Sequence, residues 1–61
     1  MDNLLTTKEV AKYLNIKMRT LYAYIQSGYI PHIRINKKTV RFKLSTINEW
    51  LKTLENGYKE V

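Results

Sequence analysis

The sequence predicts a mainly α domain with one small β-hairpin, in the order helix, helix, hairpin, helix. Three observations carry that expectation. Between Thr6 and Gly28 two short stretches of helical periodicity follow each other closely, each with its own stop signal. From Ile30 the period changes to alternation, and Pro31 blocks helix continuation. Ile47, Trp50, Leu51 and Leu54 then return to the i, i+3, i+4, i+7 spacing of an amphipathic helix.

Leu4 and Leu5 are apolar residues just before a helix start. Thr6-Thr7-Lys8-Glu9 fits a capping box, with Thr6 as N-cap and Glu9 reaching back to its amide. Val10, Ala11 and Leu14 recur on one face, Tyr13 lies on its flank, and Lys8, Glu9 and Lys12 point away. Ala11 is small enough to let another helix approach. Asn15 tolerates the left-handed conformation of a turn and ends this helix, and Ile16 plugs the core there.

The second helix runs from Lys17 or Met18 to Ser27, with Gly28 as its stop. With Leu21 pointing inward, Met18 and Ile25 fall within about 60° of it and Tyr24 lies about 60° to the other side. The outer face holds Arg19, Ala23 and Gln26, with Tyr22, Thr20 and Ser27 on the shoulders. This helix contains no acidic residue, whereas a solvated helix usually mixes signs.

His32-Ile33-Arg34-Ile35 and Val40-Arg41-Phe42-Lys43 alternate polar and apolar residues around a four-residue loop, Asn36-Lys37-Lys38-Thr39. The alternation predicts one face bearing Ile33, Ile35, Val40 and Phe42 and the other bearing Arg34, Arg41 and Lys43. A two-stranded hairpin is not stable alone, so its apolar face must pack on the helices. Ser45 or Thr46 is the expected cap of the third helix. Its stripe, with Trp50, joins the core opposite Glu49, Lys52 and Glu55. Asn56-Gly57 is a stop signal, so a core over about residues 4–55 is followed by a frayed tail at 56–61.

Sixty-one residues make one small domain, 1–61, near the lower limit of what folds without staples. There is no cysteine, which excludes disulfides and thiolate metal sites. His32 alone cannot build a metal site, and no cofactor is expected. No nucleophile–base pair, carboxylate dyad or glycine-rich phosphate loop is present, so no enzymatic activity is expected. No signal peptide precedes the domain and no apolar run reaches membrane-span length, which implies a cytoplasmic protein without a membrane partner.

Eleven Lys and Arg against five acids give a net charge of +6. Composition alone does not decide between a polyanionic partner and a solubility charge. The distribution says more: no acid lies between Tyr29 and Thr46, a stretch that includes Arg34, Lys37, Lys38 and Arg41. Such a hairpin suits phosphate contact, although charged edge strands also resist aggregation. Arg19 can fork onto guanine in a major groove or hold a phosphate. Tyr22 can donate its hydroxyl to a phosphate. Gln26, near the far end of the helix, is expected to stay exposed without a partner.

Several stretches resemble the excisionase-type DNA-binding family, which is related to the MerR-like domains. They are Leu4-Leu5-Thr6-Thr7-Lys8-Glu9-Val10-Ala11, Arg19-Thr20-Leu21-Tyr22, Ser27-Gly28-Tyr29-Ile30-Pro31, Thr39-Val40-Arg41-Phe42 and Trp50-Leu51. The resemblance covers roughly residues 4–54 and implies a winged helix-turn-helix. It implies that the second helix reads the major groove of double-stranded DNA while the hairpin lies on the neighbouring backbone or minor groove. Arg19, Thr20 and Tyr22 match family positions that touch DNA, and Arg34, Lys37, Lys38 and Arg41 match the wing. Four positions depart from the family pattern. Lys17 stands where Ser or Thr usually caps the reading helix, Met18 and Ala23 where arginine is common, and Asn36 where the turn often has glycine. Asparagine also accepts the positive φ that such a glycine would supply.

The resemblance further implies a recombination directionality factor of a mobile element or phage, or a small transcriptional regulator with the same fold. An integrase or neighbouring copies of the chain are the partners it suggests, with a monomer expected in solution. A protein-interaction adaptor for an acidic partner is the alternative of another class. A single-strand or RNA binder is disfavoured, because the exposed faces lack a row of aromatic platforms.

Overall fold

The computed structural model describes residues 4–57, so the expectations for the first three residues and the last four lie outside it. The chain forms β1 (Leu4–Leu5), α1 (Thr7–Leu14), α2 (Met18–Ser27), β2 (Ile33–Arg34), β3 (Val40–Lys43) and α3 (Leu44–Gly57). Three helices and a small antiparallel sheet of order β1-β3-β2 make a winged helix-turn-helix.

Local chemistry sets the ends of the first two helices. Thr6 Oγ1 accepts from the Glu9 amide at 3.1 Å, and Glu9 Oε1 accepts from the Thr6 amide at 2.8 Å, completing the capping box. At the other end Asn15 takes φ 59°, the Asn15 amide donates to Lys12 O, and the Ile16 amide donates to Ala11 O. That is a Schellman stop, and it recurs at Gly28 (φ 76°), where Gly28 N–H donates to Ile25 O and Tyr29 N–H to Tyr24 O. The apolar contact that accompanies such a stop is the edge-on Tyr24–Tyr29 pair, with ring centroids 4.8 Å apart.

The core joins every layer: Val10 and Ala11 of α1, Leu21 and Ile25 of α2, Ile30, Phe42 of β3 and Ile47 of α3 are buried. Leu14, Ile16, Met18 and Tyr24 pack around it as the periodicity predicts. Ile30 carries more than its sequence position suggests, being almost fully buried just after the Gly28 stop. Leu4 and Leu5 form a strand rather than a mere lead-in. Leu5 pairs with Phe42 and packs against the core, while Leu4 pairs with Lys43 on the other face.

Three expectations need correction. The first is hairpin register. Ile33 pairs with Arg41 and Arg34 with Val40, so directly opposed residues share a face and Ile33 lies with Arg41, not with Phe42. The ladder continues with the Ile35 amide donating to Thr39 O at 2.9 Å, which leaves three residues in the loop rather than four. A slip of one residue exchanges the faces: Ile33 and Ile35 are 40% and 56% exposed, and Arg34, itself exposed, shares the side of Val40. Asn36 explains the shorter closure. It does not adopt a positive φ; its Oδ1 accepts from the Lys38 and Thr39 amides, both at 2.9 Å.

The second correction concerns the third helix. It starts at Leu44 directly from β3, so Ser45 and Thr46 lie inside its first turn rather than at a cap, and it runs through Asn56 to Gly57. The third concerns Trp50, which is half-buried rather than central; its ring meets Tyr29 edge-on at a centroid distance of 5.4 Å. Only Ile47 of the α3 stripe is fully enclosed. Tyr13 Oη donates to Asn48 Oδ1 at 2.6 Å and ties α1 to α3. Among the described residues, no helix is long and apolar enough to cross a membrane.

Candidate nucleic-acid interface

Burying Leu21 and Ile25 fixes which way α2 faces, because the residues about 180° away must then point outward. Arg19, Ala23 and Gln26 are exposed there, and Tyr22 is exposed on the shoulder. Lys17 holds the N-cap position in extended conformation without a side-chain cap, so the first amides of α2 receive no hydrogen bond from it. A helix N-terminus with uncapped amides and flanking cations attracts anions. Met18 and Thr20 are half-buried, and Met18 packs against the core; neither is a freely projecting contact.

The wing approaches this helix across a cleft of about 240 Å³ lined by Tyr22, Ile25, Gln26, Arg34, Lys37, Lys38 and Val40. Ile25 and Val40 supply its apolar floor; Tyr22, Gln26 and the three cations supply its rim. Arg34 Nη1 reaches to 3.5 Å from the Lys37 carbonyl, which holds the guanidinium near the loop. The structure thus brings together Tyr22, Arg34, Lys37 and Lys38, and it adds Gln26, which helical position alone leaves idle. The missed signal was the register of the hairpin, since only the shorter loop turns Arg34 toward α2.

Arg41 does not join this group. It lies on the opposite face of β3, half-buried, and its Nη1 donates to its neighbour's carbonyl, Val40 O, at 2.9 Å. Asn36 is exposed, but its side chain is occupied in shaping the loop. His32 is half-buried and its Nδ1 lies 2.9 Å from the Ile30 carbonyl; a carbonyl can only accept, so this nitrogen carries the proton.

Charge and shape combine on this surface. No acid occurs anywhere from Val10 to Asn48, a span that holds all of α2 and the wing. Glu9 is engaged in the cap of α1, and Glu49 and Glu55 belong to α3. A projecting helix of this width fits a B-form major groove, and cations displaced to one side of it can meet the phosphates that border the groove.

Residues 4–54 match the family model described as a helix-turn-helix domain. Searches of curated proteins and of solved structures gave no match. The matched span contains both helices of the turn unit, the wing and most of α3. The chain therefore belongs to the helix-turn-helix family of DNA-binding domains.

Proposed function

We propose that this chain is a sequence-specific duplex-DNA-binding protein acting as an excisionase-type recombination directionality factor. One observation carries the DNA part: Tyr22 and Gln26 of α2 line one cleft with Arg34, Lys37 and Lys38 of the wing, Arg19 and Ala23 of the same helix are exposed, and no acid lies among them. In this reading α2 enters the major groove, with Arg19 near its leading end offering a bidentate fork to guanine O6 and N7. Tyr22 contacts the groove wall, and the small Ala23 lets the helix sit deep. The wing grips the phosphates of the adjoining strand. Holding both places at once favours DNA that bends toward the protein, which is what an architectural partner of a recombinase supplies.

The recombination role rests on the resemblance of the Leu4–Ala11, Arg19–Tyr22 and Ser27–Pro31 stretches to excisionase-type domains. The protein acts as a cytoplasmic binding module without catalysis of its own, a monomer that meets an integrase or further copies of itself on DNA. Selection of bound duplexes from a random pool, followed by footprinting, tests the DNA part. A defined motif protected in one major groove and the adjoining backbone is the expected result. Equal binding to all duplexes, or loss of binding under nonspecific competitor, contradicts it and leaves an adaptor for acidic proteins as the alternative. An integrase gene beside that of this chain, and stimulation of that integrase's excision reaction by the chain, would support the recombination role. Repression of an adjoining promoter without any effect on excision replaces it with a transcriptional one.

A further inference from the structure

Seven large apolar residues are exposed among the described ones, and they divide by chemistry. Tyr13, Tyr22 and Tyr29 each have a polar tip and assigned neighbours: Asn48 for Tyr13, the basic cleft for Tyr22, and the rings of Tyr24 and Trp50 for Tyr29. The other four, Leu4, Ile33, Ile35 and Leu44, are aliphatic and have no hydroxyl to justify their contact with water. Strand register places three of them together. Leu4 stands beside Lys43 and Ile33 beside Arg41, so both lie on the sheet face away from Phe42. Ile35, two residues on and opposite Thr39, shares the side of Ile33.

An antiparallel sheet with one buried face normally turns polar side chains outward. Here the two outer strands turn aliphatic residues outward and the middle strand turns Arg41 and Lys43 between them. Strands lie about 4.8 Å apart, so each cation is flanked by an aliphatic side chain at roughly that distance. No acid belongs to β1, β2 or β3, so the charge of this face is not matched within the sheet. Among the described residues, the face lies opposite Arg34 and the cleft, so engaging α2 and the inner side of the wing does not cover it.

We propose that this outer sheet face docks an acidic, aliphatic segment of a partner protein while the chain is bound to DNA. The chemistry selects the occupant. Carboxylates of the segment pair with Arg41 and Lys43 along β3, and its aliphatic side chains cover Leu4 on one side and Ile33 and Ile35 on the other. A second copy joined face to face would set Arg41 and Lys43 against their own counterparts, which like-charge repulsion opposes. Duplex DNA would satisfy the cations but leave the aliphatic residues uncovered.

The test uses the full chain bound to its selected duplex, which occupies the basic cleft, and pans random peptides displayed on phage. Enriched peptides are expected to combine Asp or Glu with Leu, Ile, Val or Phe, and to shift the methyl NMR signals of Leu4, Ile33 and Ile35. Ile33→Thr with Ile35→Thr keeps β-branched side chains in place, so the fold is expected to persist. That double variant is expected to bind the enriched peptide about tenfold more weakly and duplex DNA within about twofold of the parent. Lys43→Glu, tested separately, is expected to weaken the same peptide. Enrichment without acids, peptides displaced by excess duplex, or methyl shifts elsewhere would overturn the proposal. It also falls if the only ligand found is a vesicle of phosphatidylserine and phosphatidylcholine, or if the chain alone self-associates through Ile33 and Ile35.

Discussion

The α1–α2 pair ends each helix in a left-handed residue, Asn15 or Gly28, and anchors both with side chains that are almost fully buried. The wing has two residues in β2, four in β3, and a loop closed largely by the side chain of Asn36. Both present residues to the same cleft, but from supports of unequal stiffness. Base edges demand accurate placement of a donor, and Arg19 stands on the stiffer support. Phosphates tolerate approximate placement, and Lys37 and Lys38 stand on the softer one. In the proposed function, reading bases and gripping phosphates are therefore separated by mechanics as well as by chemistry.

The largest effect expected is on the shared base of both regions. Phe42 is fully buried, pairs with Leu5 and joins the sheet to the helices. Phe42→Ala is expected to cost about 3–5 kcal/mol, a large share of the stability of so small a domain. Trp50→Ala, at a half-buried site, should cost roughly half as much. Urea denaturation of the two variants checks the order, and a more damaging Trp50 change would relocate the centre of the core.

Breaking separately the two regions proposed to face DNA sharpens the comparison. Arg19→Ala is expected to weaken the preferred duplex by roughly 1–3 kcal/mol and nonspecific duplex much less. Lys37→Ala with Lys38→Ala should instead weaken all sequences alike. It should flatten the plot of log affinity against log salt by somewhat under about two units, since each phosphate contact contributes about 0.9. If both variants behave identically in a salt and sequence series, the division of labour is lost.

The smallest effects test the supports themselves. Thr6→Ala removes the cap of α1 and should cost about 1 kcal/mol of global stability. Asn36→Ala removes two loop hydrogen bonds at an exposed site and should cost about 1 kcal/mol or less. Its sharper readout is amide exchange, expected to quicken at Lys38 and Thr39 while α2 remains protected. Equal quickening in α2 would mean that wing and helix move as one unit.

The same contrast governs what could be read from the chain in advance. The capping box at Thr6–Glu9, the stops at Asn15 and Gly28 and the outer face of α2 depend on residues within one turn of each other, so their spacing carries the information. Hairpin register depends on how a loop closes, and the Asn36 side chain shortened that loop by a residue, moving Arg34 into the cleft and Arg41 out of it. Leu4 and Leu5 are too few to show a period, so their pairing with β3 was invisible locally. Trp50 has core spacing, but only Ile47 of its stripe is fully enclosed, and partners for Trp50 come from Tyr29. Gln26 joined the cleft for the same reason as Arg34: its neighbours are set by tertiary register, not by position along α2.

The most direct test is a methyl NMR titration of the full chain with its selected duplex. If α2 and the inner side of the wing form one DNA-binding surface, the methyl signals of Ile25 and Val40, on the floor of the cleft, shift together and saturate at the same duplex ratio. Those of Leu4 and Ile33, on the outer sheet face, stay in place. Shifts at Leu4 and Ile33 with Ile25 and Val40 unchanged would contradict this and put the duplex on the opposite side of the wing.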